Sequence, residues 1–122
     1  MSKDLKVGVY SKDAIFMRVP KDQIKIVGLN AGEKLKHPSL CLINNELVGV
    51  AMDYYEDEGC YLVDWDDRKI FAYNEVDSSH KPDKVGCQLY LKDDVITTEK
   101  GSNKPLGYFL GMKGNSVLFK LI

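Results

Sequence analysis

From Ile24 to the C-terminus, short apolar runs alternate with polar turns that contain asparagine, aspartate or glycine. Leu40–Ile43 and Leu47–Met52 have the length of strands, and they flank Asn44-Asn45-Glu46. Asparagine tolerates the positive φ angles that a tight hairpin turn requires, so this segment predicts a hairpin. Turn residues recur every ~8–12 positions without a long helical period, which is the spacing of small β-folds. The pattern predicts an all-β domain, either a small barrel or a sandwich of hairpins.

A series of short apolar strands separated by glycine-containing turns occurs twice in this pattern, and we call this series the glycine-spaced β-phrase. The C-terminal copy spans residues 85–122, and a looser copy spans residues 31–63. Gly107 interrupts an apolar strand in the first of these, and Gly49 does so in the second. Glycine inside a strand marks a bulge or a close approach of another backbone. We therefore expect Gly49 and Gly107 to hold equivalent positions in two related β-phrases.

The first residues differ from the rest of the chain because they lack the glycine-spaced β-phrase. This difference predicts an N-terminal arm over residues 1–22 and a single β-domain over residues 23–122. Alternation of apolar and other residues at 5–10 is typical of a short strand or an extended arm. Two alternatives stay open: one helical turn that begins near Ser11, or a strand through Ile15, Met17 and Val19.

Charge and hydropathy exclude several classes of partner. The 122 residues fit one domain, and the formal net charge of −1 argues against a protein that binds nucleic acid by neutralising phosphates. The residues after Met1 lack the apolar stretch of a signal peptide, and no apolar run approaches the ~20 residues of a membrane span. We therefore expect neither a nucleic-acid partner nor a membrane partner.

Three cysteines, Cys41, Cys60 and Cys87, are odd in number and far apart in the sequence. An odd count without motif spacing argues against a disulfide framework and indicates a reducing compartment. Each cysteine lies among apolar residues, so we expect all three to be small buried side chains that are reduced and dispensable for function.

No catalytic constellation is visible. His37 and His80 lie near prolines in polar loops, and neither has a second histidine at metal-ligand spacing. Asp64, Asp66 and Asp67 could gather a hard cation, but the segment lacks the glycine and glutamate of an EF-hand loop. Hairpin chemistry accounts for these carboxylates, so we expect no enzyme activity, no cofactor and no metal.

Three aromatic residues are candidates for contact with a partner. We expect Trp65, the single tryptophan, to be a core residue, and the second interpretation is that it anchors a contact with a partner. Tyr54 and Tyr55 are adjacent on one predicted strand and therefore point to opposite faces, which leaves at least one of them for a partner surface.

Residues 85–122 resemble the C-terminal half of the bacteriophage capsid cement, or head decoration, family. The string Leu47–Ala51 is similar to the mid-chain element of that family, so the resemblance covers residues 24–122. This chain departs from the family in its richness in Lys, Asp and Tyr and in a longer polar stretch at 64–84. The features that carry the resemblance are, in chain order, Gly86, Tyr90, Thr97-Thr98, Gly101 with Asn103, Leu106-Gly107-Tyr108 and Val117–Leu121.

The resemblance implies a virion structural protein that binds the outer capsid surface and stabilises the head. Its partner would be the major capsid protein, with self-association as a trimer by analogy, and it would reach the virion after synthesis in the host cytoplasm. Alternatives are a head–tail or tail component and, further off, a small-ligand-binding β-barrel. The residues expected to contact the capsid or another subunit are Val7, Val9 and Tyr10 of the arm, with Tyr54, Tyr55 and Trp65.

Overall fold

The computed structural model of this chain describes residues 16–30 and 32–122, which form two antiparallel sheets of five strands each. Within those residues, helix is limited to the short 3-10 turn Lys21–Gln23. The two sheets pack against each other as a sandwich, and neither sheet closes into a barrel. The all-β class predicted from the sequence is therefore confirmed, in its sandwich form.

The N-terminal half of the chain builds the first sheet, in the order β1-β5-β4-β3-β2. The predicted asparagine hairpin joins its third and fourth strands, with φ angles of 47° at Asn44 and 61° at Asn45. Its strands are β1 (Phe16–Pro20), β2 (Ile24–Ile26), β3 (Ser39–Ile43), β4 (Leu47–Tyr55) and β5 (Cys60–Asp64).

The first sheet coils around one of its own faces. β1 and β2 lie on opposite edges, yet only the turn Lys21–Gln23 separates them in the chain. Pro20 and Ile24 can be at most about 14 Å apart along an extended chain, whereas the edges of a flat five-stranded sheet would be about 19 Å apart. The coiled face buries a first core, which consists of Val19, Ile24, Ile26, Cys41, Ile43, Ala51, Tyr54, Tyr61 and Val63.

The C-terminal half builds the second sheet, in the order β6-β10-β9-β7-β8. A parallel bridge between Val76 and Ile96 also ties the chain that follows β6 to β8. Its strands are β6 (Phe71–Tyr73), β7 (Gln88–Lys92), β8 (Val95–Thr97), β9 (Lys104–Lys113) and β10 (Ser116–Leu121).

A second core fills the space between the sheets. Val48 and Val50 of β4 point into it, while Ala51 belongs to the first core, so β4 is apolar on both faces. This explains the continuous apolar run in the sequence of β4, because a strand buried on both faces shows no alternation. The second core comprises Leu40, Val48, Val50, Leu89, Leu91, Ile96, Leu106, Phe109, Val117, Phe119 and Leu121.

The two interrupting glycines occupy matching places. Gly49 lies in β4 and Gly107 in β9, and each of these strands is the third of five in its sheet. A Cβ atom at Gly49 would lie 2.8 Å from Cγ1 of Val63, and one at Gly107 would lie 1.8 Å from the carbonyl oxygen of Lys120. The close backbone approach predicted from the sequence is therefore confirmed at Gly107, whereas the close contact at Gly49 is with a side chain.

Phe16–Pro20, which lies within the predicted arm over residues 1–22, is a strand of the first sheet. Phe16–Pro20 pairs with β5 over its whole length, from Phe16 opposite Asp64 to Pro20 opposite Cys60, and Val19 is buried in the first core. The alternative of a strand through Met17 and Val19 is the correct one. The sequence hides this strand because Arg18 and Pro20 are exposed at the sheet edge, where such residues are common.

Candidate functional site

The arm residues predicted to make contacts, Val7, Val9 and Tyr10, lie outside the described residues. The segment that carries them leads into Phe16, the first residue of β1. β1 is an edge strand of the first sheet, so this segment enters the described fold at that edge.

The two adjacent tyrosines have different environments. Tyr54 is buried in the first core, where its ring lies 4.5 Å from the ring of Tyr61 between centroids. Tyr55 is partly exposed, and the guanidinium carbon of Arg18 lies 5.2 Å from its ring centroid. Arg18 also forms an ion pair with Glu58 at 3.2 Å. The structure therefore places Tyr54 in the core rather than on a contact surface, and it leaves Tyr55 as the accessible member of the pair.

Tyr61 fastens the long loop between β2 and β3 to the first sheet. Its hydroxyl donates a hydrogen bond to the carbonyl oxygen of Glu33 at 2.7 Å and accepts one from the backbone N–H of Gly32 at 3.1 Å. Burial of the ring raises the pKa of Tyr61. The hydroxyl therefore stays protonated at neutral pH and serves a structural purpose.

Trp65 follows β5 directly and is partly buried. Its ring packs against residues of both the first and the second core. A side chain in this place joins the two cores at the start of the connection between the sheets. The core interpretation of Trp65 agrees with this packing, and the contact interpretation is restricted to the part of the ring that stays exposed.

Asp64 and Asp66 form ion pairs and hydrogen bonds within the chain, and we call this arrangement the ionic clasp. Buried Asp64 accepts hydrogen bonds from Nζ of Lys69 at 2.7 Å and from the backbone N–H of Asp66 at 2.9 Å. Asp66 in turn accepts from Nε of Arg68 at 2.8 Å and from its backbone N–H at 2.9 Å. Hydrogen bonds from Arg68 hold the pKa of Asp66 below its usual value. These two carboxylates bind donors of their own chain, so they fix the connection between the sheets.

Cys41, Cys60 and Cys87 are free thiols in this fold. Cys41 and Cys60 are buried, and Cys87 is partly buried. Burial raises the pKa of Cys41 to about 12. The thiolate is the reactive form of cysteine, so Cys41 is unsuited to nucleophilic chemistry at neutral pH.

A cluster of Asp77, His80 and Glu99 lies where the polar loop after β6 meets the end of β8. One potential ligand atom from each residue lies within 4.8 Å of the others. Nδ1 of His80 is 3.3 Å from Oδ2 of Asp77, and Nε2 is 3.8 Å from Oε2 of Glu99. Within the described part of the chain, this is the one group of three such side chains that could hold a metal ion.

No local sequence pattern predicts this cluster, because Glu99 is about twenty positions from the other two residues. Asp77 and His80 are three positions apart, a spacing that could have drawn attention to the loop. Glu99 is brought beside them by the bridge between Val76 and Ile96, which aligns the loop with β8. That register could not be foreseen from the sequence.

An open groove lies at one end of the sandwich, between the end of β2 and the turn that joins β7 and β8. Lys25, Asn30, Asp93 and Lys104 are among its lining residues, together with the apolar Leu42. Charged residues of both signs line it, and the polar and apolar parts of its surface are about equal. Small-molecule sites are mostly apolar with a few placed polar groups, so this groove does not favour the small-ligand alternative.

No protein-family model, curated protein or solved structure matches this chain. The described residues also contain no helix with the length and apolar character that crossing a membrane requires. Any assignment of function therefore rests on the residues and on their arrangement.

Proposed function

We propose that this chain is a phage virion structural protein that binds the outer capsid surface, contacts the major capsid protein and stabilises the head. The observation that carries the proposal is the continuity of the segment that resembles the cement family. Residues 85–122 supply four adjacent strands of the second sheet, β10, β9, β7 and β8, without an interruption from elsewhere in the chain.

The residues of the resemblance occupy positions where the backbone needs them. Gly86, two residues before β7, has a φ of 94°, and Gly101, in the turn before β9, has a φ of 42°. Side chains other than glycine rarely adopt such angles. Gly107 lies against the backbone of β10. A protein that shares this order of turns and close approaches would therefore form a similar sheet. This expected similarity of fold supports the proposal.

A cement protein must also remain soluble before it docks. Edge strands are a hazard for such a protein because their unpaired backbone groups attract other strands. β1 is an edge of the first sheet, and it carries an exposed arginine at position 18 and an exposed proline at position 20. Both residue types hinder uncontrolled pairing of strands, so this edge can face a partner without general aggregation.

We place the docking surface along the exposed edge of β1, and we define the β1 surface as Met17 on one face of this edge strand with Arg18, Tyr55 and Glu58 on the other. Met17 is 51% exposed, a large fraction for an apolar side chain in a strand. Arg18 contacts both Tyr55 and Glu58, so its charged group is held beside an accessible aromatic ring. Tyrosine and arginine are enriched at interface hot spots. We propose that Val7, Val9 and Tyr10, which precede β1 in the sequence, contribute to this contact.

The test uses phage heads that lack the protein, incubated with purified full-length chain and then separated from unbound protein. Met17→Asp is compared with Met112→Asp, because Met112 on β9 is exposed to a nearly identical degree, 52%. We expect the wild type and Met112→Asp to bind expanded heads with equal affinity. Met17→Asp should lose at least about tenfold in affinity, as for loss of an interface anchor.

The outcomes separate the function from the surface. A wild-type protein that fails to bind expanded heads contradicts the proposed function. Binding to isolated tails instead would favour the tail-component alternative. Wild-type binding that Met17→Asp leaves unchanged contradicts only the assignment of the β1 surface. Light scattering of the free protein reports its mass and tests the proposed trimer.

A further inference from the structure

We infer that Asp77, His80 and Glu99 form a binding site for a divalent first-row transition metal ion, with zinc as the best match. The inference is independent of the proposed capsid function. Its basis is the donor set: one imidazole nitrogen and two carboxylate oxygens converge where the loop after β6 meets the end of β8. Imidazole with carboxylates suits zinc better than calcium or magnesium, which take oxygen ligands alone.

The spacing of the donors fits such an ion. With metal–ligand bonds of about 2.0–2.1 Å, neighbouring ligands of a tetrahedral zinc site are about 3.3–3.4 Å apart. Nδ1 of His80 and Oδ2 of Asp77 already have this separation, at 3.3 Å. Oε2 of Glu99 lies 3.8 Å from the other ring nitrogen, Nε2, and the exposed side chain of Glu99 can rotate so that its carboxylate shares an ion with Nδ1 and Asp77. A neutral imidazole offers one unprotonated ring nitrogen as the third donor.

Neighbouring groups orient the two carboxylates. Oδ1 of Asp77 accepts a hydrogen bond from the backbone N–H of Ser79 at 3.0 Å, and Oδ2 accepts one from the hydroxyl of Thr97 at 3.0 Å. Nζ of Lys92 lies 3.6 Å from Oε1 of Glu99, which leaves Oε2 facing His80. Partners of this kind fix the ligands of natural metal sites.

A metal ion here would clip the loop at 77–80 to the residue two positions beyond β8. Binding to the folded chain alone stabilises it by mass action. Three protein ligands leave a fourth tetrahedral position for water or for a donor from another molecule. The bound metal would thus hold the loop in place and keep one coordination position open to exchange of its ligand.

The experiment titrates chelator-treated, full-length protein with zinc chloride by calorimetry, and it measures the melting temperature with and without zinc. The variants His80→Ala and Glu99→Gln each remove one ligand. His37→Ala is the matched control, because the chain has only these two histidines. Cys87→Ser excludes binding through the most accessible of the three thiols. Comparing the zinc-dependent shift within each variant corrects for any change in its basal stability.

We expect one zinc ion per chain and a rise in melting temperature for the wild type, His37→Ala and Cys87→Ser. The affinity of His80→Ala and Glu99→Gln for zinc should fall by at least about tenfold. Zinc should not change the melting temperatures of these two variants. A wild type that binds no zinc overturns the inference. Zinc binding that survives in His80→Ala and Glu99→Gln, or that is lost in Cys87→Ser, also overturns it.

Discussion

A Cβ atom on Gly107 would lie 1.8 Å from the backbone carbonyl oxygen of Lys120. Gly107 is paired with Leu121 in the register of β9 and β10, and β9 is the central strand of its sheet, so neither backbone can move without disturbing its neighbours. At Gly49, the corresponding contact is a methyl group of Val63 at 2.8 Å. A side-chain methyl can move aside, whereas a strand carbonyl cannot.

Replacing these glycines with alanine should therefore have unequal effects. Gly49→Ala should lower the free energy of unfolding by about 1–3 kcal/mol through overpacking. Gly107→Ala should cost more than about 4 kcal/mol or prevent folding, because the backbone itself must shift. Urea denaturation of both variants measures the difference, with Tyr108→Ala as an exposed control on β9. Equal stability losses at positions 49 and 107 would contradict the packing argument.

Tyr61→Phe should weaken the attachment of the loop between β2 and β3. The change removes the hydrogen bonds to Glu33 and Gly32 and leaves the ring in place. The expected loss is about 1–2 kcal/mol, the cost of unpaired backbone groups in a partly buried site. Tyr108→Phe removes an exposed hydroxyl and should change little. Faster amide exchange confined to this loop would localise the effect, and unchanged exchange at Gly32 would argue against it.

The clasp at Asp66 predicts a dependence of stability on pH. Its pKa in the folded state lies below the ordinary 3.8, chiefly because of the hydrogen bond from Arg68. The carboxylate therefore contributes its full stability above about pH 4 and loses it as the pH falls through the folded pKa. When the pH is lowered from about 7 to about 3, the free energy of unfolding should fall less for Asp66→Asn than for the wild type. Urea midpoints at the two pH values test this, and an effect equal to that of the exposed control Asp67→Asn would refute it.

The thiols should differ in reactivity. Cys87 is partly buried, whereas Cys41 and Cys60 are buried and the pKa of Cys41 is raised to about 12. In the native protein, a thiol reagent should modify Cys87 first and leave Cys41 intact until the chain unfolds. Mass spectrometry of timed samples identifies the labelled positions. Early labelling of Cys41 under native conditions would show that the first core opens more readily than its packing indicates.

Local patterns in the sequence predict the strands from β2 onward, because apolar runs and turn residues act over a few positions. The hairpin at Asn44 and Asn45 and the close backbone approach at Gly107 are of this kind. β1 lies within the segment predicted as an arm, because that segment lacks the glycine-spaced β-phrase. An edge strand is recognised by its partner, and the partner β5 lies about forty residues away.

The candidate sites depend even more on long-range register. Two neighbouring tyrosines must face opposite ways, but the sequence does not indicate which of them is buried. Tyr54 goes to the core because its ring meets that of Tyr61 across the strand pair. The cluster of Asp77, His80 and Glu99 arises only when the bridge at Val76 and Ile96 aligns a loop with β8. No local rule predicts such a bridge.

The stability of phage heads with and without the protein tests the proposed function most directly. An added layer of contacts that binds the intact shell stabilises it by mass action. Heads that carry the protein should retain their DNA to a higher temperature than heads that lack it, and adding back purified wild-type chain should restore the difference. Release of DNA at the same temperature from bare, decorated and reconstituted heads would contradict a stabilising role on the capsid.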